Sequence, residues 1–208
     1  MADFKGMAEA LIAGNAAKVK ELVQEAVDEG VKPQQILDDG LISGMEVVGV
    51  RFKNCEIYVP EVLVSARAMH AGMDILEPLL AQSGAKARGV FVVGTVKGDL
   101  HDIGKNLVAM MLKGAGWKVV DLGVDVDGEK YVQSAIDEKA DVIGLSALLT
   151  TTMVNMKQVI ELAKNKDCHS SIVVGGAPLT QNYANEIGAN GYAPDAATAV
   201  EVVSSLVK

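Results

Sequence analysis

Val90-Phe91-Val92-Val93-Gly94 is a short apolar run, and it breaks into Thr95-Val96-Lys97-Gly98-Asp99-Leu100-His101-Asp102-Ile103-Gly104-Lys105-Asn106, a small and polar loop that leads into helical spacing near Gly104. A near-continuous β-branched run of this length reads as a strand buried on both faces, the kind found in parallel sheets. The alternation repeats downstream. Residues 117–122, 142–146, 172–174 and, more weakly, 191–192 read as further strands, separated by helical segments beginning near Gly128, Met153, Gln181 and Asp195.

Five strands alternating with helices predict an α/β domain with a Rossmann-like, doubly wound parallel sheet. Right-handed crossovers and a five-strand unit favour the flavodoxin-like order 2-1-3-4-5, in which ligands bind outside the carboxyl ends of the strands. The loops after strands 1, 3 and 4 are therefore the candidate site.

Upstream of this unit the chain reads as helices only. A short helix around residues 7–12 is followed by one beginning at Asn15, a good N-cap, with Val19, Leu22, Val23, Ala26 and Val27 at helical spacing until Gly30. A second stripe runs Leu37, Leu41, Met45, Val48, Phe52. Pro60 suits the first turn of a third long helix, with the stripe Val62, Ala66, Met69, Met73, Leu76, Leu80. Residues 82–88 are small and polar and read as a linker, so the expected domains are a helical bundle cap over 1–86 and a ligand-binding domain over 87–208.

The chain is 208 residues long, half of them hydrophobic, with a formal net charge of −8. That balance argues against a nucleic-acid groove, which needs clustered Lys and Arg. No apolar run of about 18 residues is present, and the start, Met1-Ala2-Asp3-Phe4-Lys5, lacks the order of a signal peptide. A soluble, cytoplasmic protein without membrane contact is expected. Cys55 and Cys168 fall in different domains and read as reduced structural thiols.

The three loops converge on few chemistries. Gly98 and Gly104 enclose five residues, and Asn106 follows Lys105, so the first loop misses the phosphate-binding pattern that has four residues between its glycines and a hydroxyl after the lysine. Ser146 stands where a phospho-receiver would carry an Asp. A flavin phosphate loop would be rich in Ser and Thr after strand 1. Zinc prefers Cys and His in threes or fours. One His beside an Asp is adequate for a metal whose remaining ligands come from a macrocycle: Asp99 can fix the imidazole tautomer from the nitrogen away from the metal, and Ser146 is expected to hydrogen-bond Asp99.

Asp99-Leu100-His101-Asp102-Ile103-Gly104, then Ser146-Ala147-Leu148 after forty-one residues and Gly175-Gly176 after twenty-six more, resembles the D-x-H-x-x-G, S-x-L, G-G signature of cobalamin-binding domains. Val48-Gly49-Val50-Arg51-Phe52, Tyr58-Val59-Pro60-Glu61-Val62-Leu63 and Ser65-Ala66-Arg67 are similar to the helical cap of methionine synthase and of the corrinoid proteins of methanol, methylamine and methoxyarene methyltransferases. The resemblance covers nearly the whole chain. It implies cobalamin bound with its benzimidazole displaced and His101 as the lower cobalt ligand, Asp99 and Ser146 forming a proton-linked support. Gly98, Asp102, Ile103 and Gly104 would join these around the cofactor, with Leu148, Thr150, Gly175, Gly176 and Ala177 along the channel of the nucleotide tail and Tyr192 and Asp195 at its far wall. Phe52 and Val59 would shield the upper face. The implied protein is not catalytic alone: as methylcobalamin it carries a methyl group from a substrate-specific methyltransferase to a second one, whose acceptor is tetrahydrofolate or a thiol, and it relies on a reductive activator.

Other readings stand beside this one. A cobalamin-dependent sensor would bring an output domain, and a mutase subunit would bind adenosylcobalamin without such a cap. Phe52, Met45 and Val59 also suit plain bundle core, and Asp99 and Ser146 plain turn formation. His70 reads as a packing or surface residue, Asp167-Cys168-His169 as a loop at the opposite sheet edge, and the acidic residues 121–129 as solvated.

Overall fold

Capping side chains start the helical half. In the computed structural model, which describes residues 2–83 and 87–207, the Asp3 carboxylate accepts the Gly6 N–H ahead of α1 (Phe4–Ile12). Asn15 accepts the Lys18 N–H ahead of α2 (Ala16–Asp28), as its sequence position predicts. The chain divides into two compact units, Met1–Ala87 with Gly114–Gly116, and Arg88–Lys113 with Trp117–Lys208.

The stripe through Leu37 and Leu41 departs from plain α-helix. α3 (Pro33–Gln35) passes into a π-helical stretch (Ile36–Ile42) and then α4 (Ser43–Lys53). Ile36 and Leu41, like Leu37 and Ile42, are five residues apart, and turns closed by i→i+5 bonds bring both pairs to one side, where all four are buried. Glycine at two points lets α1 come close: a Cβ on Gly40 would lie 2.3 Å from Met7 Sδ, and one on Gly44 would lie 3.1 Å from the Ala8 backbone. Phe52, at the end of the expected stripe, is only half-buried.

α5 (Val59–Ser83) has Pro60 in its first turn, as expected, and continues past a second proline, Pro78. Of the expected linker at 82–88, residues 82 and 83 end α5 and residues 84–86 lie outside the described residues. Both cysteines are free, but Cys55 is exposed at a left-handed turn (φ +57°) after α4 rather than packed. Among the described residues no helix is long and apolar enough to cross a membrane.

The sheet unit has five parallel strands, β1 (Val90–Thr95), β2 (Lys118–Asp121), β3 (Val142–Ser146), β4 (Ser171–Gly175) and β5 (Gly191–Ala193). Their order is β2-β1-β3-β4-β5, the one expected from the alternation. β1, β3 and β4 are nearly all buried side chains, and the core between sheet and helices gathers Val92, Ile143, Leu145, Ile172 and Val174 with Tyr131, Met156 and Ile160. The helices of this unit are α6 (Ile103–Gly114), α7 (Gly128–Asp137), α8 (Thr150–Met153), α9 (Asn155–Asn165), α10 (Gln181–Ile187) and α11 (Ala196–Leu206).

Register decides where the loops emerge. Thr95 pairs with Ser146, Ser146 with Gly175, and Gly175 with Ala193, so β1, β3, β4 and β5 all end in one row. Every loop that the sequence singled out leaves the sheet from that row.

Candidate functional site

Thr95, the last residue of β1, is fully buried, and its hydroxyl donates to the His101 carbonyl at 2.8 Å. Between them the chain turns tightly: the Asp99 N–H donates to the Val96 carbonyl (3.1 Å), with Gly98 at φ +79° in the third position. This is the pattern of a type II turn, whose third residue must be left-handed. The turn places Asp99 out of solvent altogether.

A buried carboxylate is tolerable only if its oxygens are satisfied. Asp99 Oδ1 accepts the His101 backbone N–H (3.0 Å) and faces His101 Nδ1 at 2.7 Å. Oδ2 accepts the N–H groups of Leu148 (2.8 Å) and Leu149 (3.3 Å) and the Thr152 hydroxyl (2.7 Å). Burial alone would push this carboxyl up, but the hydrogen bonds from Thr152, His101 and Leu148 outweigh it and hold Asp99 well below the usual carboxylate range. It is therefore ionised at neutral pH and can only accept.

The tautomer of His101 follows from that. Facing an acceptor-only carboxylate, Nδ1 carries the proton, so in the neutral ring the lone pair is on Nε2. About half of the His101 side chain is exposed (51 %). The site thus presents one outward ring nitrogen, fixed in orientation from behind.

The hydroxyl on Asp99 is not the one expected. Ser146 sits at the end of β3, half-buried, and among the described residues it makes no bond to Asp99; Thr152, in α8, occupies that place. Thr152 Oγ also lies 3.0 Å from the Leu149 carbonyl, but the shorter contact to a charged acceptor takes the proton. Thr152→Val is expected to destabilise the protein by about 2 kcal/mol, the scale of a hydrogen bond to a charged group, whereas Ser146→Ala should stay within about 0.5 kcal/mol. Urea denaturation of both variants checks this.

The acidic residues within 121–129 are exposed, as expected, and several of them also hold partners at this edge. Asp121 accepts from Nζ of Lys105, which is buried (2.5 Å), and from the Gly123 N–H. Asp125 accepts the Gly98 N–H and Asp127 pairs with Lys97. Thr95 and Val96 also bond along this segment, through Gly123 and Val126.

The remaining candidates take various places. Leu148 and Thr150 are exposed beside Asp99's donors, and Ile103 and Gly104 are exposed at the start of α6. Asp102 accepts from Asn106 through its side chain. Gly175 ends β4, Ala177 is exposed two residues on, and Gly176 has φ +135°. The Tyr192 hydroxyl donates to the Leu179 carbonyl, and Asp195 caps α11 through Thr198, so both have structural partners at this edge. Phe52 and Val59 lie in the helical unit, each half-buried there.

Known proteins supply the family. Residues 89–201 and residues 4–77 each match a B12 binding domain family. The chain belongs to the B12-binding corrinoid proteins. A corrinoid protein of Desulfitobacterium hafniense is 45 % identical over 96 % of this chain and 94 % of its own length. A dimethylamine corrinoid protein of Methanosarcina acetivorans is 43 % identical over the full length of both. Among solved structures, a chain of the methanol:cobalamin methyltransferase complex of Methanosarcina barkeri has a TM-score of 0.87 at 32 % identity, covering 98 % of this chain and 79 % of that one.

Cobalamin is the cofactor of this family, and the residues of this corrinoid protein fit it. Among the described residues no group of three or more His, Cys, Asp or Glu side chains could hold a metal ion, while His101 offers a single nitrogen. Leu100, Ile103, Leu148 and Leu149 are exposed apolar side chains on the segments that carry His101 and the backbone donors to Asp99. A large, mainly apolar ring would cover such a surface. A Cβ on Gly104 would meet nothing within 4 Å, so the backbone there is open to close approach.

Proposed function

We propose that this corrinoid protein binds cobalamin at the carboxyl edge of its sheet with His101 Nε2 as the lower axial ligand, the benzimidazole displaced. In this role it carries a methyl group from a substrate-specific methyltransferase to a second methyltransferase. The observation that carries the reading is the His101–Asp99 contact of 2.7 Å on a fully buried, five-donor carboxylate. Relatives named for dimethylamine and methanol systems support the carrier role.

When bound, the corrin supplies the cobalt centre that accepts and releases the methyl group. The protein's residues do the rest. Asp99 holds the Nδ1 proton, which keeps the Nε2 lone pair available and makes the imidazole a stronger donor. Thr152, Leu148 and Leu149 keep Asp99 ionised by donating to it. Thr95 fixes the His101 backbone, so the ring can turn only about its own side-chain bonds. Leu100, Ile103, Leu148 and Leu149 exclude water from the nitrogen once covered. Gly175, Gly176 and Ala177, with Tyr192 and Asp195, are assigned to the nucleotide tail. The second methyltransferase, its tetrahydrofolate or thiol acceptor and a reductive activator complete the proposed partners.

The test is anaerobic reconstitution with cobalamin, desalting, and EPR of the Co(II) form of wild type and His101→Ala. Retained corrin with a nitrogen superhyperfine pattern, absent in the variant, is the expected result. Corrin that binds with no nitrogen pattern in wild type, or with the same pattern in both proteins, overturns the assignment of His101.

A further inference from the structure

The turn that buries Asp99 is gripped at one peptide from two sides. The peptide joining Lys97 to Gly98 is the central one of the turn. Its carbonyl accepts from Asn155 Nδ2 at 2.7 Å, and its N–H donates to Asp125 Oδ1 at 2.8 Å. Asn155 is the first residue of α9, and Asp125 lies in the loop between β2 and α7, so the two grips come from separate elements. Asp125 acts a second time: its own N–H donates to the Asp99 carbonyl at 3.0 Å.

Serving both bonds goes with a left-handed backbone at Asp125, φ +52°. Such a conformation is unfavourable for most residues and is tolerated best by Gly, Asn and Asp. The strain is local and has a visible return in two bonds to the turn. Type I and type II turns differ by a rotation of the central peptide. Flipped, the Gly98 N–H would face toward the Asn155 amide donor, and the Lys97 carbonyl toward the Asp125 carboxylate. Donor would meet donor and acceptor would meet acceptor, so the pair selects one orientation.

We propose that Asp125 and Asn155 are positioning residues for the His101–Asp99 pair, holding the Lys97–Gly98 peptide in the orientation that buries Asp99 among its five donors. The inference rests on the reading of His101 as the ligand. Neither residue touches the imidazole. Each acts through the turn: without the grips, a fraction of molecules holds Asp99 away from Leu148 and Thr152, and His101 loses its single tautomer and aim.

Three variants separate positioning from general stability. Asp125→Gly keeps a left-handed backbone without steric cost and removes the carboxylate, Asp125→Asn keeps an acceptor oxygen, and Asn155→Ala removes the other grip. Two readouts apply: the 15N resonances of His101 in the cofactor-free protein, which report the tautomer, and the nitrogen superhyperfine pattern of Co(II) EPR in the cobalamin-loaded protein. Wild type and Asp125→Asn are expected to show one Nδ1–H tautomer and full nitrogen ligation. Asp125→Gly and Asn155→Ala should show mixed tautomers and a ratio of ligated to unligated cobalt lowered about tenfold, the equivalent of one net hydrogen bond.

Wild-type behaviour of both Asp125→Gly and Asn155→Ala in both readouts overturns the proposal. So does an Asp125→Asn protein no better than Asp125→Gly, because a merely structural loss would not be rescued by a returned acceptor. A wild type with no nitrogen pattern overturns the ligand reading instead, and the tautomer readout then still decides the role of the two grips.

Discussion

Asp99→Asn is expected to abolish nitrogen ligation by His101 while the sheet stays folded. Both carboxylate oxygens face donors, two at Oδ1 and three at Oδ2. An amide must put its NH2 against one set. With the carbonyl oxygen toward the three donors, the NH2 faces His101, and the ring can meet it only by accepting at Nδ1. The proton then moves to Nε2, and the outward nitrogen has no lone pair to offer. Co(II) EPR of the loaded variant should therefore lack the nitrogen pattern even though the histidine is present. The opposite result, full ligation, would mean that Asp99 does not set the tautomer. Stability should fall too, by about 3 kcal/mol at neutral pH, for a buried group surrounded by donors it no longer satisfies. The pH dependence has a definite sign. Asp99 is held below its ordinary value in the folded protein, so its stabilisation is complete above the unfolded value near about 4 and is lost as pH falls through the folded value. The gap between wild type and variant in urea melts should be flat from neutral pH to about 5 and narrow below about 4.

The fold was legible because its signals are local and repeated. Each of β1, β3 and β4 is a run of apolar residues too short for a helix and too continuous for a half-exposed strand, and crossover handedness then leaves few sheet orders. His101 and Asp99 were legible for a different reason: they stand in an Asp-x-His-x-x-Gly element whose spacing to Ser146-Ala147-Leu148 and Gly175-Gly176 resembles the cobalamin-binding signature, and they are close enough in the chain to meet on one loop. What bonds to them across the sheet was not. Thr150, Thr151 and Thr152 are equivalent in the sequence, and only the single turn of α8, which buries Thr152 and exposes the other two, selects one hydroxyl. Ser146 carries the motif but lies in the strand row, with Thr152 filling the place at Asp99. Asp125 and Asn155 were hidden further, since nothing in an acidic loop or a helix start shows that either reaches a peptide more than twenty residues away. The π-helical turns at Ile36–Ile42 were not legible because the apolar stripe through Leu37, Leu41, Met45 and Val48, at three and four residues, fits an α-helix equally well until Ile36 and Ile42 are also required inside.

Gly176→Ala is expected to cost the cofactor-free protein about 4 kcal/mol, combining backbone strain with a contact that cannot relax. The backbone at Gly176 has φ +135°, which side chains rarely adopt, and a Cβ there would lie 1.8 Å from the Ala147 carbonyl oxygen. The obstructing atom is backbone, so no rotamer change relieves it. The same peptide that turns its carbonyl toward Gly176 turns its N–H, that of Leu148, toward Asp99 Oδ2 at 2.8 Å. Pushing it away strips a donor from the carboxylate behind His101, so reconstituted Gly176→Ala should also show weakened nitrogen ligation. Gly175→Ala is the control: its φ is unexceptional and its Cβ would stand 3.0 Å from the Ala193 carbonyl, a tight contact worth about 1 kcal/mol. The two roles of the paired glycines separate in urea denaturation without cobalamin. If Gly176→Ala melts like wild type when empty and fails only in holding corrin, the glycine serves ligand approach alone. If the empty protein is already destabilised, the glycine belongs first to the joint between the ends of β3 and β4, and through that joint to the histidine.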